Sequence, residues 1–423
     1  MSQERGSANR MAIMISLIAA GEAVFFLPFV VARIFRPTFL DVFELTNFQL
    51  GSAFSVYGIV AMGSYFAGGP LADRYSARRL MAAALIATSL GGVVFATIPS
   101  LSILTFLYGF WGLTSILLFW AALIRATREW GGLEGQGRAF GILDGGRGLF
   151  AAIMGSITVL IFAALLPEDV ATASLADRTS ALVRVIWIFT GMVVFAAALV
   201  WFAVPDSDLG SADIVPNRKL TWRGIQKVAK MPSVWLQAII VVCAYVGYKS
   251  TDDFSLYVQD AFGYDDVVAA QIGTISFWIR PIAAIGAGLL ADKLRSSNVI
   301  MASFALLTAC SLFIASGMLN SAVLWIIITT IAATSACIYA LRGIYFCLFE
   351  EAKVPLAVTG SAIGLVSLIG YTPDIFMGPV MGWLIDRSPG AIGHQHVFAV
   401  VALFSIVGLF SSVLFKRVIR AAN

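Results

Sequence analysis

The feature that most constrains this chain is a series of about twelve apolar segments, each close to the roughly 20 residues that a helix needs to cross a membrane. With 59% hydrophobic and only 12% charged residues, the chain cannot assemble the charged surface of a water-soluble protein. The sequence therefore predicts an all-α membrane protein. The segments lie near residues 11–34, 48–71, 80–98, 102–124, 139–165, 182–204, 232–258, 267–290, 299–318, 322–348, 357–384 and 396–415.

A polar stretch at residues 205–230 separates six segments from six. We therefore predict two pseudo-symmetric six-helix bundles, residues 1–204 and 231–423, joined by a cytoplasmic basic linker. Most of the 28 Lys and Arg residues lie on the side of the N-terminus. Because cytoplasmic loops retain positive charge during insertion, both termini are expected in the cytoplasm. The linker pattern is typical of a helix on an anionic membrane surface and comprises Arg218, Lys219, Trp222, Arg223, Lys227 and Lys230.

Several function classes are not favoured. The net charge of +4 is spread along the chain, so nucleic acid is not an expected partner. Cys243, Cys310, Cys337 and Cys347 lie in apolar segments without metal-ligand spacing, and the sequence contains no common hydrolase or phosphate-loop motif. We predict no enzyme activity, no cofactor and no metal. His394 and His396, in the last outer loop, are expected at the surface.

An internal repeat relates the two halves. Gly69-Pro70-Leu71-Ala72-Asp73-Arg74 follows the second segment, and Gly288-Leu289-Leu290-Ala291-Asp292-Lys293 follows the eighth, about half of the chain later. A repeat of this length indicates a duplicated half. The motif resembles the signature loop of the major facilitator superfamily, and the resemblance covers essentially the whole chain.

This resemblance implies a secondary transporter of the bacterial inner membrane, functional as a monomer, that opens a central cavity alternately to each side. The repeat and a neighbouring charged cluster imply an inner gate formed by Asp73, Arg74, Arg78, Arg125, Asp292 and Lys293. Glycines concentrate in the fifth and eleventh segments, and we expect these helices to pack closely across the interface between the halves.

Ionisable side chains inside the spans are candidates for the transport site, because each costs at least roughly 2.5 kcal/mol near mid-bilayer. Glu22, Arg147 and Arg280 fall near the middle of their helices, and Asp374 lies in the outer half of the eleventh. Asp144 precedes Arg147 by one helical turn, so the two can form an ion pair. Glu22, Asp144, Asp253 and Asp374 are the candidates for proton or ion coupling.

Arg33 and Lys249 lie late in the first helix of each half. Their pseudo-symmetry would bring two cations to opposite walls of one cavity, although Arg33 could instead reach the outer surface. With their flanking residues they resemble the organophosphate:phosphate antiporter branch, in which basic residues on these helices grip the substrate anion; the remaining sequence is closer to a poorly characterised bacterial branch. Candidate aromatic contacts are Tyr57, Tyr245, Tyr248, Trp278 and Tyr371.

The sequence thus favours a carrier of a small organic anion, such as a phosphate ester, carboxylate or sulfonate, as antiporter or proton symporter. A carrier of zwitterions such as amino acids or small peptides is the alternative within this class, with Glu22 or Asp374 pairing with the amine. A transport-derived solute sensor is the alternative from another class.

Overall fold

The computed structural model describes residues 2–132, 135–206, 226, 228–321, 323–354 and 359–421, and in this part of the chain twelve helices are long and apolar enough to cross a membrane. The predicted all-α membrane fold is confirmed. The predicted linker helix lies largely outside the described residues. The spanning helices are α1 (Asn9–Ile34), α2 (Asn47–Ala72), α3 (Ala77–Phe95), α4 (Leu101–Gly131), α5 (Arg138–Leu165), α6 (Leu175–Ala203), α7 (Pro232–Ser250), α8 (Asp266–Leu294), α9 (Ser296–Ala315), α10 (Leu324–Glu351), α11 (Ala362–Arg387) and α12 (Ala391–Ala421).

Several spans are built from shorter helical pieces. Pro28 lies in a π-helical turn of α1, where a residue without a backbone N–H disturbs regular hydrogen bonding least. Pro373 begins the second piece of α11, a position that suits proline because the N–H there has no helical partner. The pieces are Ser2–Ala23, Phe26–Val30 and Val31–Ile34 in α1; Leu101–Gly112, Leu113–Trp120 and Ala121–Gly131 in α4; Leu324–Ile344, Tyr345–Cys347 and Leu348–Glu351 in α10; and Thr359–Gly370 and Pro373–Arg387 in α11.

Short helices follow the first helix of each half. After α1 the chain forms Arg36–Val42, and after α7 it forms Phe254–Phe262. The expectation that the seventh span continues to residue 258 is wrong, because α7 ends at Ser250 and the backbone turns through Thr251 to Asp253. This turn matters for the site, since it directs the next residues back toward α1.

The two halves meet where α2 packs against α11 and α5 packs against α8. A Cβ atom on Gly51 would lie 2.2 Å from the carbonyl oxygen of Gly378, and one on Gly148 would lie 3.2 Å from Arg280 Cγ. Glycine at position 51 lets α2 and α11 approach to backbone contact, and glycine at position 148 leaves room for the Arg280 side chain. The expectation that the glycine-rich fifth and eleventh helices pack across the interface is confirmed, and their partners are α8 and α2.

One end of the molecule, which the charge distribution predicts to be the outer end, is closed by contacts between the halves. The Asp386 carboxylate at the end of α11 accepts hydrogen bonds from the backbone N–H groups of Asn47 (3.0 Å) and Phe48 (2.8 Å). These groups open α2, where the first N–H groups lack helical partners and the helix dipole favours an anion. Asp386 thus caps a helix of the opposite half.

Further contacts between the halves surround this cap. Thr38 donates to Asp266 at 3.0 Å, and Arg178 lies 3.1 Å from both Asp266 and Asp41. The Ser255 hydroxyl donates to the Arg33 carbonyl at 2.9 Å. Burial raises the pKa of Asp41, and the adjacent Arg178 opposes that rise. The outer end therefore joins the halves through a network of polar contacts.

The opposite, predicted inner end is different. Several hydrogen bonds and ion pairs there lie within single halves: Arg78 and Arg79 contact Asp206 at 2.9 and 2.8 Å, and Arg125 donates to the Ala72 carbonyl at 2.8 Å. Hydrogen bonds from Ser76 and Arg79 lower the pKa of Asp206. Of the other predicted gate residues, Arg74, Asp292 and Lys293 are exposed, and the side chain of Asp73 lies outside the described residues. In this conformation the halves are joined at the outer end.

The substitution Gly51→Ala tests the contact between α2 and α11. Its methyl group would meet the Gly378 backbone, which cannot move aside as a flexible side chain can. We expect a loss of roughly 1–3 kcal/mol of stability, as for overpacked cores, and a lower melting temperature in detergent. Gly63→Ala, on the same helix with open space around it, is the matched control. It should melt at or above the wild-type temperature, because alanine favours helix by about 0.5–1 kcal/mol; equal melting of the two variants would contradict the contact.

The substitution Asp386→Ala tests the closure of the outer end. Removing a helix cap costs about 0.5–2 kcal/mol, and here the lost contact joins the two halves. We therefore expect more molecules open at this end, measured as a longer distance between spin labels on Thr97 and Pro389 of the outer loops. Asp169→Ala removes a cap whose partner, Ala171, lies in the same loop, and it should leave the distance unchanged. An unchanged distance in both variants would refute the closing role of Asp386.

Candidate substrate-binding cavity

A cavity of about 130 Å³ lies between the two halves. Its walls come from α1, α2, α4 and α5 on one side and from α7, α8, α10 and α11 on the other. Charged and aromatic side chains dominate this wall, although the surrounding helices are mostly apolar. The lining residues are Glu22, Phe25, Phe29, Val30, Arg33, Tyr57, Ala61, Tyr65, Ile116, Trp120, Arg147, Tyr245, Tyr248, Lys249, Arg280, Arg342, Tyr371 and Asp374.

One group of charges is centred on Glu22 of α1. Its carboxylate lies 3.2 Å from Arg147 of α5 and 3.2 Å from Arg280 of α8. Asp144 lies 3.3 Å from Arg280 and 3.8 Å from Arg147, so the predicted pair within α5 is present but is the longer contact. Two carboxylates thus balance two guanidinium groups. Because Arg280 belongs to the second half, Glu22 and Asp144 join the halves through this cluster.

A second group of charges is centred on Asp252, in the turn after α7. One carboxylate oxygen lies 2.5 Å from Arg33 Nε, and the other lies 3.1 Å from Lys249 Nζ. Lys249 also lies 3.6 Å from Asp374, which accepts a hydrogen bond from Tyr245 at 3.0 Å. Burial alone would raise the pKa of Asp252, but the two adjacent cations outweigh burial and lower it. Asp252 is therefore ionised at neutral pH.

The predicted pair of cations is thus present at the cavity, with Arg33 and Lys249 both buried. Arg33 does not reach the outer surface. The sequence did not indicate that this pair of cations has carboxylate partners. In the structure Asp252 and Asp374 neutralise it. Of these ion pairs, the one between Arg33 of the first half and Asp252 of the second joins the two halves.

Tyrosines form the aromatic part of the wall around one further cation, Arg342 of α10. Its guanidinium carbon lies 3.6 Å from the centre of the Tyr248 ring and 5.2 Å from that of Tyr245. Among the described residues no carboxylate pairs with Arg342, and its Nη1 atom is buried without a hydrogen-bond partner. Tyr371 stacks near Tyr245, with ring centres 5.0 Å apart.

Three residues singled out in the sequence lie elsewhere. Trp278 is 43% exposed and donates to Ser156 on the outside of α5, away from the cavity. Asp253 is fully buried at the outer end, where it lies 2.7 Å from His394 Nδ1. The expectation of an exposed His394 is wrong, because α12 begins before it and the ring is enclosed between Asp253 and Asp260. His396 is exposed, as expected.

Two important residues were missed as site residues. Asp252 follows Lys249 by three positions, a spacing that permits pairing, but the neighbouring Asp253 offered the same kind of signal. Arg342 is visible in the sequence as a charge inside the tenth span, a costly position that points to a polar space. Which of two adjacent acids turns inward depends on the end of α7 at Ser250.

Comparison with known proteins agrees with this architecture. The chain is 26% identical over 386 residues to the inner membrane protein YqcE of Escherichia coli, with 89% of this chain and 88% of YqcE covered. It is also 26% identical over 416 residues to the inner membrane protein YihN of the same organism, with 97% and 96% covered. A solved bacterial homologue of the human lysosomal transporter Spinster shares the fold at a TM-score of 0.74 and 14% identity, covering 98% of each chain.

The family itself follows from the match along the sequence. Residues 11–345 match the Major Facilitator Superfamily, and the matched region includes the spans that supply most of the cavity wall. This family and the similar solved structures are transporters rather than enzymes. The relatives that carry inner-membrane names agree with a multi-pass protein of that membrane. The chain belongs to the major facilitator superfamily.

Proposed function

We propose that this protein carries a small organic anion across the inner membrane by alternating access. The observation that carries the proposal is the charge at the cavity: five cations line it, and four carboxylates, two in the lining and two paired with lining cations, oppose them. The cations are Arg33, Arg147, Lys249, Arg280 and Arg342, and the carboxylates are Glu22 and Asp374 in the lining with Asp144 and Asp252 beside it. The net positive charge is enclosed between apolar helices, where an uncompensated cation is costly. An anionic substrate would neutralise the remaining positive charge of the cavity.

The pairing of the acids favours an anion over a zwitterion. A bound amine needs a carboxylate that is free to accept it. In this cavity Glu22 lies between two arginines, and Asp374 lies beside Lys249 and Tyr245. An amine would have to displace one of these partners, whereas an anion meets Arg342 without displacing a carboxylate.

The arrangement of the halves supports alternating access. Polar contacts between the halves close the outer end, whereas the described inner-end contacts lie within each half. We place both termini in the cytoplasm, so the present conformation is closed to the outside. In the opposite conformation the signature-loop residues Asp73, Arg74, Asp292 and Lys293, with Arg78 and Arg125, would form the inner gate, and a monomer suffices for this cycle.

Coupling to protons is part of the proposal for the Glu22 cluster. Protonation of Glu22 or Asp144 would leave Arg147 and Arg280 with less compensating charge, which would strengthen attraction for an anion. In an exchanger, a second anion carried in the opposite direction would take the role that the proton has in a symporter. The two modes differ in their dependence on a pH gradient, and a solute sensor would differ from both by binding without flux.

The substrate class is tested by thermal stabilisation of the purified protein with organic phosphates, carboxylates, sulfonates, amino acids, dipeptides and sugars. A ligand that binds the folded state raises the melting temperature by mass action, by an amount that reflects about 2.7 kcal/mol at 100 times its dissociation constant. We expect stabilisation by anions, reduced at high salt because the attraction is electrostatic. The most effective anion should then enter proteoliposomes.

The same panel contains the results that would contradict the proposal. Stabilisation by sugars or dipeptides alone would replace the anion with a neutral or zwitterionic substrate. Stabilisation by anions without uptake or exchange in proteoliposomes would favour the sensor. A variant with Glu22→Gln separates the coupling modes: we expect it to lose dependence on a pH gradient but to retain exchange of internal for external anion.

A further inference from the structure

The cations of the cavity are not equivalent, and the difference lies in their partners. Arg33 and Lys249 share Asp252 at 2.5 and 3.1 Å, and Arg147 and Arg280 share Glu22 at 3.2 Å each. Arg342 has aromatic rings as its neighbours: its guanidinium carbon lies 3.6 Å from the centre of the Tyr248 ring and 5.2 Å from that of Tyr245, and among the described residues no ion pair joins it to a carboxylate. Four cations are thus internally neutralised and one is not.

The surroundings of Arg342 suit an incoming oxyanion. A guanidinium presents a planar fork of N–H donors that matches two oxygens of a carboxylate, sulfonate or phosphate. The guanidinium carbon of Arg342 lies 3.6 Å from the centre of the Tyr248 ring. Its Nη1 atom is buried without a hydrogen-bond partner. An unsatisfied donor in an enclosed site costs free energy that a bound acceptor would recover. The position is therefore preorganised for an anion.

Asp252 has the opposite role at the Arg33–Lys249 pair. Its two oxygens contact the two cations separately, in the bridging arrangement that a substrate carboxylate or phosphate would otherwise adopt. Because Asp252 is buried and lies in a turn fixed by hydrogen bonds to the end of α7, it occupies the pair continuously in this conformation. A substrate anion must compete with it there.

We propose that Arg342 is the primary anchor for the anionic group of the substrate, and that Asp252 is an internal anion that occupies the Arg33–Lys249 pair. This inference rests on the proposed function of the same cavity. It assigns the first contact between substrate and protein to α10, whereas the sequence resemblance assigned that contact to Arg33 of α1 and Lys249 of α7. The substrate class is a small organic oxyanion whose remainder packs against the tyrosine wall.

Tyr248 connects the two positions. Its hydroxyl accepts a hydrogen bond from Arg33 at 3.2 Å, while its ring faces Arg342. Movement of Arg342 toward a bound anion is therefore transmitted to the side chain that contacts Arg33. This chain of contacts runs from α10 through α7 to α1, and so from the second half to the first.

The test measures binding of methyl phosphate and methanesulfonate to the full-length protein by calorimetry. Arg342→Gln should weaken binding at least about tenfold, the loss expected for one charged, forked contact. Arg342→Lys keeps the positive charge but not the forked pair of donors, so its affinity should lie between those of the wild type and Arg342→Gln. The matched control is Arg387→Gln, because Arg387 also stacks on an aromatic ring, at 5.2 Å from Trp383, but lies outside the cavity. It should bind as the wild type does.

Asp252→Asn gives a prediction of opposite sign. It leaves Arg33 without a carboxylate partner and Lys249 with Asp374 alone, so binding should tighten about tenfold, and more for methyl phosphate, which can carry two charges, than for methanesulfonate. The double variant Lys249→Gln/Asp252→Asn restores the local charge balance and should return affinity toward the wild-type value. It also replaces the single variant if the uncompensated buried charge of Asp252→Asn prevents folding.

The outcomes separate this inference from the proposed function. Absence of binding of every anion to the wild type would overturn both. Binding that survives Arg342→Gln but is lost in Arg33→Gln or Lys249→Gln would overturn the anchor role alone and restore those two residues as the grip. Weaker binding in Asp252→Asn, with folding intact, would overturn the internal-anion role and make Asp252 a positioning residue.

Discussion

Ion pairs buried between the halves are the interaction on which the rest of this structure depends. A charge among apolar helices is tolerated when a partner of opposite sign and good geometry compensates for lost water. Glu22 with Arg280, and Asp252 with Arg33, supply that compensation across the interface. Each pair therefore stabilises its own side chains and at the same time ties the two halves together around the cavity.

This dependence explains why the close helix crossings and the polar network occur together. Glycine at positions such as Gly51 and Gly58 brings the backbones of opposite halves into contact. Close packing of this kind places charged side chains of opposite halves within reach of one another, as Glu22 and Arg280 are at 3.2 Å. The cap provided by Asp386 adds a directional contact at the outer end, since it satisfies the first N–H groups of α2.

The sequence predicted the fold because its signals are local: each span is marked by length and apolarity, and the duplicated signature loop marks the half. Much of the cavity wall was also predictable, since Glu22, Arg33, Arg147, Lys249, Arg280 and Asp374 are costly in a span unless they face a polar space. The pairing pattern was not predictable. Sequence spacing does not fix helix rotation, so Asp252 could not be told from Asp253. The cavity tyrosines were candidates, but their arrangement around Arg342 could not be predicted.

The separation of paired and unpaired cations has a consequence for the transport cycle. In the proposed cycle, opening of the outer end would separate Arg33 from Asp252 and Arg280 from Glu22, because the partners belong to opposite halves. Breaking a buried pair leaves both charges uncompensated, which costs several kcal/mol unless water or a ligand replaces the partner. Because Tyr248 contacts both Arg342 and Arg33, an anion at the proposed Arg342 anchor would supply part of the compensation for Arg33. Substrate binding would then be coupled to the movement of the halves, because the bound anion lowers the electrostatic cost of breaking the ion pairs between them.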